Sequence, residues 1–93
     1  MGELITIPPQ APELEQAVIG ACLLQSDHLS DVADLLTPQA FYVAAHAHLW
    51  TAIIALYSQR CPIDILTVTH ECKRRSTLDL VGGPFYIAQL TNR

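Results

Sequence analysis

Residues 44–58, AAHAHLWTAIIALYS, run for fifteen positions without an Asp, Glu, Lys or Arg. This stretch constrains the fold more than any other. Leu49, Ile53, Leu56 and Tyr57 fall on one helical stripe, and His46, Trp50 and Ile54 on an adjacent one. A helix apolar over most of its girth has no face for solvent and belongs in the middle of a bundle. The pattern predicts an all-α domain: a compact globular bundle of about five to six short helices around this central one, with no sheet.

The flanking sequence supplies those helices. Residues 1–11 read as an extended Pro-rich arm, with Pro8, Pro9 and then Pro12 at a first helical position. From Pro12 the apolar residues Leu14, Ala17, Val18, Ala21 and Leu24 recur at helical spacing, with Glu13 and Glu15 in the first turn, where the helix dipole favours them. Gly20 costs this helix about 1 kcal/mol relative to Ala, and close approach of a neighbouring helix explains its presence. Ser26 or Asp27 can cap a second helix carrying Leu29, Val32, Ala33 and Leu36. Thr37-Pro38 ends it, and Phe41 and Tyr42 follow as core anchors.

The run from Pro62 to Leu90 reads as a complete helix–connector–helix unit. Asp64 is a good N-cap for a helix over about 65–75, and Ile63 and Val68 stand at hydrophobic-staple positions. Ile65, Val68 and Cys72 face inward in this reading. Glu71 and Arg75 pair at i,i+4, and Lys73, Arg74 and Arg75 fill the last turn. Leu78, Leu80 and Val81 pack beneath the connector. Gly82-Gly83 makes a tight turn, and Pro84 starts a last helix with Tyr86, Ile87 and Leu90.

Composition narrows the function. The chain has 93 residues, 51% hydrophobic and 15% charged, enough for one domain with a modest core and too apolar for disorder. So few charges leave sticky surface and imply a partner. The net charge of −4 argues against a broad face for duplex DNA, because phosphate contacts demand a basic surface. Lys73-Arg74-Arg75 is the one local exception and, with Phe85, the candidate partner surface. Its plainer role is a solvated helix end that offsets the dipole. Three widely spaced cysteines without a CxxC pair indicate reduced thiols in a cytoplasmic setting. The first ten residues carry no basic and long apolar segment of the kind that targets a chain to or across a membrane.

No constellation of catalytic residues emerges. GxxxxGK[ST] and a GxGxxG after a strand are both missing. Gly82-Gly83 precedes a helix without a lysine or a strand, and reads as a plain turn. His46 and His48 point to opposite sides of one helix, so they cannot share a metal ion. A composite site from His46, His70 and Cys72 is the alternative to a partly buried, hydrogen-bonded His46, which the spacing favours. Cys22 and Cys72 lie on apolar faces, Cys61 sits in an interhelical turn, and nothing completes a Cys–His arrangement. The reading assigns no catalytic, cofactor-binding or metal-binding residue.

Taken in order, Pro12-Glu13-Leu14-Glu15-Gln16-Ala17-Val18-Ile19-Gly20, Val32-Ala33-Asp34-Leu35-Leu36, Phe41-Tyr42, His46, Trp50, Pro62-Ile63-Asp64, Thr67-Val68, Lys73-Arg74, Val81-Gly82-Gly83, Tyr86-Ile87 and Leu90 resemble the N-terminal domain of DnaB-type bacterial replicative DNA helicases. The resemblance covers residue 12 to the end. Glycine is common in that pattern where Arg60 or Cys61 stands and usual at Ser76, which puts a left-handed cap after Arg75 in doubt.

The resemblance implies a non-catalytic collar domain over residues 12–93, acting in hexamer assembly and in docking the primase C-terminal domain and a helicase loader. It implies that ATP, Mg²⁺, single-stranded DNA and unwinding belong to a hairpin, linker and ATPase domain that this sequence lacks. The expected setting is the bacterial cytoplasm, at replication forks. The alternatives are the helicase-binding domain of a primase and a small helix-turn-helix DNA-binding regulator.

Overall fold

The computed structural model describes residues 11–92. Within them lie five α-helices and no strand: α1 Pro12–Leu24, α2 Leu29–Val32, α3 Ala44–Ser58, α4 Ile65–Arg74 and α5 Gly83–Gln89. One 3₁₀ turn, Ser26–His28, leads into α2, and another, Pro38–Ala40, follows it. The Pro-rich arm expected over residues 1–11 falls, but for Ala11, outside the described residues. The all-α bundle around residues 44–58 is what the structure contains.

α3 is the hub. Leu49, Trp50, Ala52 and Ile53 are fully buried, and α1, α4 and the Pro38–Ala40 turn all pack against this helix. The indole N–H of Trp50 donates to the Leu36 carbonyl at 2.7 Å. Its ring lies 5.5 Å from that of Phe41. The segment after α2 is thereby tied to the core by one buried hydrogen bond and one aromatic contact.

α1 turns a different face inward from the one its spacing predicted. Glu15, Ile19, Gly20, Cys22 and Leu23 are buried, while Leu14 and Leu24 are 48% and 62% exposed. Gly20 fixes this rotation. A Cβ there would drive into the carbonyl of Leu90 at the end of α5, so this position must face α5. The expected close approach is real, and it selects the face.

Several other expectations shift for local reasons. Phe41 is buried but Tyr42 is 61% exposed, because successive residues of this extended stretch point to opposite sides. Ile65 lies at the rim, while Ile63 and Val68, the two staple positions, are both buried. Leu80 is 59% exposed beside a fully buried Val81. Tyr57 also lies partly in solvent, at the free end of α3. Neither Ser26 nor Asp27 caps α2 through its side chain; instead Ser30 Oγ donates to the Asp27 carbonyl. Thr37 makes no side-chain cap.

The α4 start forms as expected and more completely. Asp64 accepts from the Thr67 amide at 2.9 Å while Thr67 Oγ1 accepts from the Asp64 amide at 2.9 Å, a reciprocal capping box. At the α4 end Ser76 adopts φ 62°. The Thr77 amide reaches back to the Cys72 carbonyl and the Ser76 amide to that of Lys73, a Schellman motif with serine at the left-handed position. α3 ends the same way around Arg60, φ 60°, with the Cys61 amide on the Leu56 carbonyl. The cap placed in doubt by the missing glycine is therefore present twice, each time on a residue with a Cβ. Gly82 and Gly83, both at positive φ, make the turn into α5.

A non-glycine residue held left-handed costs roughly 1 kcal/mol. Ser76→Gly and Arg60→Gly are therefore each expected to raise the melting temperature by a few degrees, whereas Ser76→Ala brings no gain. Thermal unfolding followed by circular dichroism distinguishes them.

Candidate functional site

Buried polar groups converge at one place, where α1, α3 and α5 meet. Glu15 is 0% exposed. Its carboxylate accepts from the backbone amides of Tyr42 at 2.7 Å and Val43 at 3.2 Å. Those amides precede α3, whose own N-cap residue Val43 makes no side-chain cap. Glu15 thus caps α3 from another helix, at the end where the dipole favours an anion.

The same carboxylate lies 2.7 Å from His46 Nδ1, and His46 Nε2 lies 2.6 Å from the Tyr86 hydroxyl. A carboxylate only accepts, so Nδ1 carries the proton. With the imidazole neutral, Nε2 accepts from Tyr86 O–H; the same hydroxyl oxygen accepts from Gln16 Nε2 at 3.1 Å. The His46 and Tyr86 rings lie nearly parallel, with centroids 5.9 Å apart. Every group finds a partner, and among the described residues no buried side-chain polar atom lacks one. The arrangement is a clamp between first, central and last helices.

Sequence reasoning expected a partly buried, hydrogen-bonded His46, which is in fact almost fully buried, and it placed Glu15 only as a first-turn acid favoured by the helix dipole, missing its burial. A signal was available. Glu15 shares an inward face with Ile19, Cys22 and Leu23, and an acid on such a face needs a buried donor. His46, inside a helix without charges, is that donor.

The four residues of the candidate partner surface do not converge. Phe85 stands 76% exposed on α5, and Lys73 is exposed on α4. Arg74 and Arg75 are both engaged by one carboxylate: Glu71 Oε2 accepts from Arg74 Nη2 and Arg75 Nε, each at 2.7 Å. Hydrogen bonding to Arg74, with the nearby Arg75, holds the Glu71 carboxyl below its ordinary 4.5. A lowered folded value adds stability that is present above the unfolded value and lost as pH falls through the folded one. Among the described residues no group of three or more His, Cys, Asp and Glu is placed to hold a metal ion. No helix there is long and apolar enough to cross a membrane.

Removing Glu15 orphans two backbone donors and one imidazole donor. Glu15→Ala is expected to cost roughly 3–5 kcal/mol, as for other broken buried pairs, and Tyr86→Phe only about 1 kcal/mol. Urea unfolding of the two variants tests this order. The cysteines give a second check. Burial pushes the Cys22 thiol up to about 11 and raises that of Cys72, so native protein at pH 8 should be alkylated by iodoacetamide at Cys61 alone. All three thiols should react in denaturant.

Comparison with known proteins places this geometry. Residues 7–93 match the family model described as DnaB-like helicase N terminal domain. The replicative DNA helicase DnaB of Rhodothermus marinus is 42% identical over 87 residues, 94% of this chain and 9% of that protein. That of Geobacillus stearothermophilus is 37% identical over 94 residues, 99% of this chain and 21% of that protein. The chain thus spans about a fifth or less of the length of these relatives. A crystal structure of the N-terminal domain of DnaB helicase from Mycobacterium tuberculosis superposes with a TM-score of 0.86 at 40% identity, over 92% of this chain and 60% of that one. A sequence match over nearly the whole chain and a shared helical fold lead to one conclusion: the chain belongs to the DnaB-like helicase N-terminal domain family.

Proposed function

We propose that this chain is the head of a non-catalytic collar in a replicative DNA helicase. It acts in hexamer assembly and docks the primase C-terminal domain and a helicase loader. ATP, Mg²⁺, single-stranded DNA and unwinding fall to regions of such a helicase outside this chain, and the setting is the bacterial cytoplasm at replication forks. The observation that carries this reading is the superposition on the N-terminal domain of a DnaB helicase over 92% of the chain.

The polar chemistry supports it. Glu15, His46, Tyr86 and Gln16 are bonded to one another, so the most convergent polar groups act in holding helices together. What faces solvent is suited to contact: Phe85 at 76% exposure, and the cationic end of α4 from Lys73 to Arg75. An exposed aromatic and an exposed basic helix end each match the composition of protein interfaces, which favour aromatic residues and arginine.

Calorimetric titration with a primase C-terminal domain should give saturable heat, weakened about tenfold or more by Phe85→Ala, and the chain alone should not hydrolyse ATP. ATP turnover by the purified chain overturns the reading. So does a lack of heat both from this chain and from a form extended along its parent sequence.

A further inference from the structure

The polar chain that clamps the bundle reaches the surface at one end. Tyr86 and Gln16 line an open cleft of about 480 Å³ between α1 and α5, together with Glu13, Gln89 and Asn92. At the other end His46 and Glu15 are closed off from solvent. The Tyr86 hydroxyl is therefore the polar link between the buried imidazole and the cleft. With His46 neutral, all the bonds of this chain run in one direction. Gln16 N–H donates to the Tyr86 oxygen, Tyr86 O–H to His46 Nε2, and His46 Nδ1–H to Glu15.

We propose that this chain of bonds is a proton switch, which displays the charge of His46 at the α1–α5 cleft by turning over the Gln16 amide. A proton taken up by the imidazole leaves both ring nitrogens as donors. Nδ1–H keeps its place on the Glu15 carboxylate, which also accepts from the Tyr42 and Val43 amides and supplies the counter-charge. Nε2–H now donates to Tyr86, whose hydroxyl turns its own proton away from the ring. That proton meets the N–H of Gln16, and two donors cannot share one bond. A half turn of the amide presents Oε1 instead and restores the bond with the heavy atoms in place. The protons balance: one from solvent joins the Tyr86 oxygen as the hydroxyl's own proton passes to Nε2. The cleft then meets an amide oxygen when His46 is neutral and an amide N–H when it is charged. Every group keeps a partner in both states, so the switch works without opening the clamp. The other ionisable groups nearby leave this role to Glu15 and Tyr86. On α1, Glu13 is exposed at the cleft, and the Cys22 thiol is pushed up by burial to about 11. The Tyr42 ring lies in solvent, and His48 points to the other side of α3. On α4, burial raises the Cys72 thiol, and Glu71 is engaged by Arg74 and Arg75.

A pH titration of the ¹⁵N-labelled chain by NMR tests the switch, with Glu13→Gln in place so that the carboxylate at the cleft does not titrate beside it. The His46 ring nitrogens and the Gln16 side-chain amide are expected to shift with a common midpoint, while the far-UV circular dichroism spectrum stays unchanged. In Tyr86→Phe, made in the same background, His46 should still titrate and the Gln16 signals should no longer follow it. Gln16 signals that stay still while His46 titrates overturn the switch and assign the turned O–H to water in the cleft. Gln16 signals that follow His46 equally in Tyr86→Phe also overturn it, since the coupling then passes through space. Loss of the helical spectrum at the His46 midpoint does the same, because protonation then breaks the clamp. So does a His46 that takes up no proton before the chain unfolds in acid.

Discussion

The bundle depends on a carboxylate that belongs to one helix and completes another. Glu15 rises from α1 into the core and satisfies amides at the entrance of α3, where the chain offers no capping side chain of its own. An uncapped helix start buried against a neighbour would leave several donors unmatched, each costing about 1–3 kcal/mol. His46, in the first turn of α3, then passes the connection to Tyr86 on α5. Three helices that share one apolar core are thus also held in one relative orientation by a short chain of polar groups. Packing supplies the bulk of the stability and this chain supplies the geometry, a division common in buried polar networks whose members all find partners.

Helix ends show how far local sequence reaches. The α4 N-cap at Asp64 and its Ile63–Val68 staple were readable because their parts lie within a few residues, and the Thr67 hydroxyl adds the reciprocal half of a capping box. The span of α3 was readable from an uncharged, largely apolar run that ends at Gln59-Arg60. The left-handed caps were obscured by the residues that carry them. Arg60 and Ser76 adopt positive φ because the surrounding helices fix where the chain must turn back, and tertiary structure overrides a local preference of about 1 kcal/mol.

The α1 face and the candidate site were hidden for a different reason. This helix has apolar residues on both sides, so periodicity alone cannot choose between the Leu14–Leu24 stripe and the Ile19–Leu23 face. The choice is made by Gly20 against Leu90 and by a polar partner thirty-one residues away in sequence. Neither is a local signal. The exposed basic residues were legible as a cluster, but their sharing of Glu71 limits how much of their charge remains for a partner.

The Gln16–Tyr86 bond joins residues seventy apart in the chain, and Gly20 meets Leu90 beside it. Closing so large a loop costs entropy before any contact rewards it. The α4 unit, with its capping box and staple, needs only near neighbours and can form while α1 is still detached. Folding then ends with the docking of α1 across α3 and α5. Such late contacts govern how long the folded head lasts more than how quickly it forms. The clamp that orients the helices is, in kinetic terms, the latch that sets the lifetime of the domain.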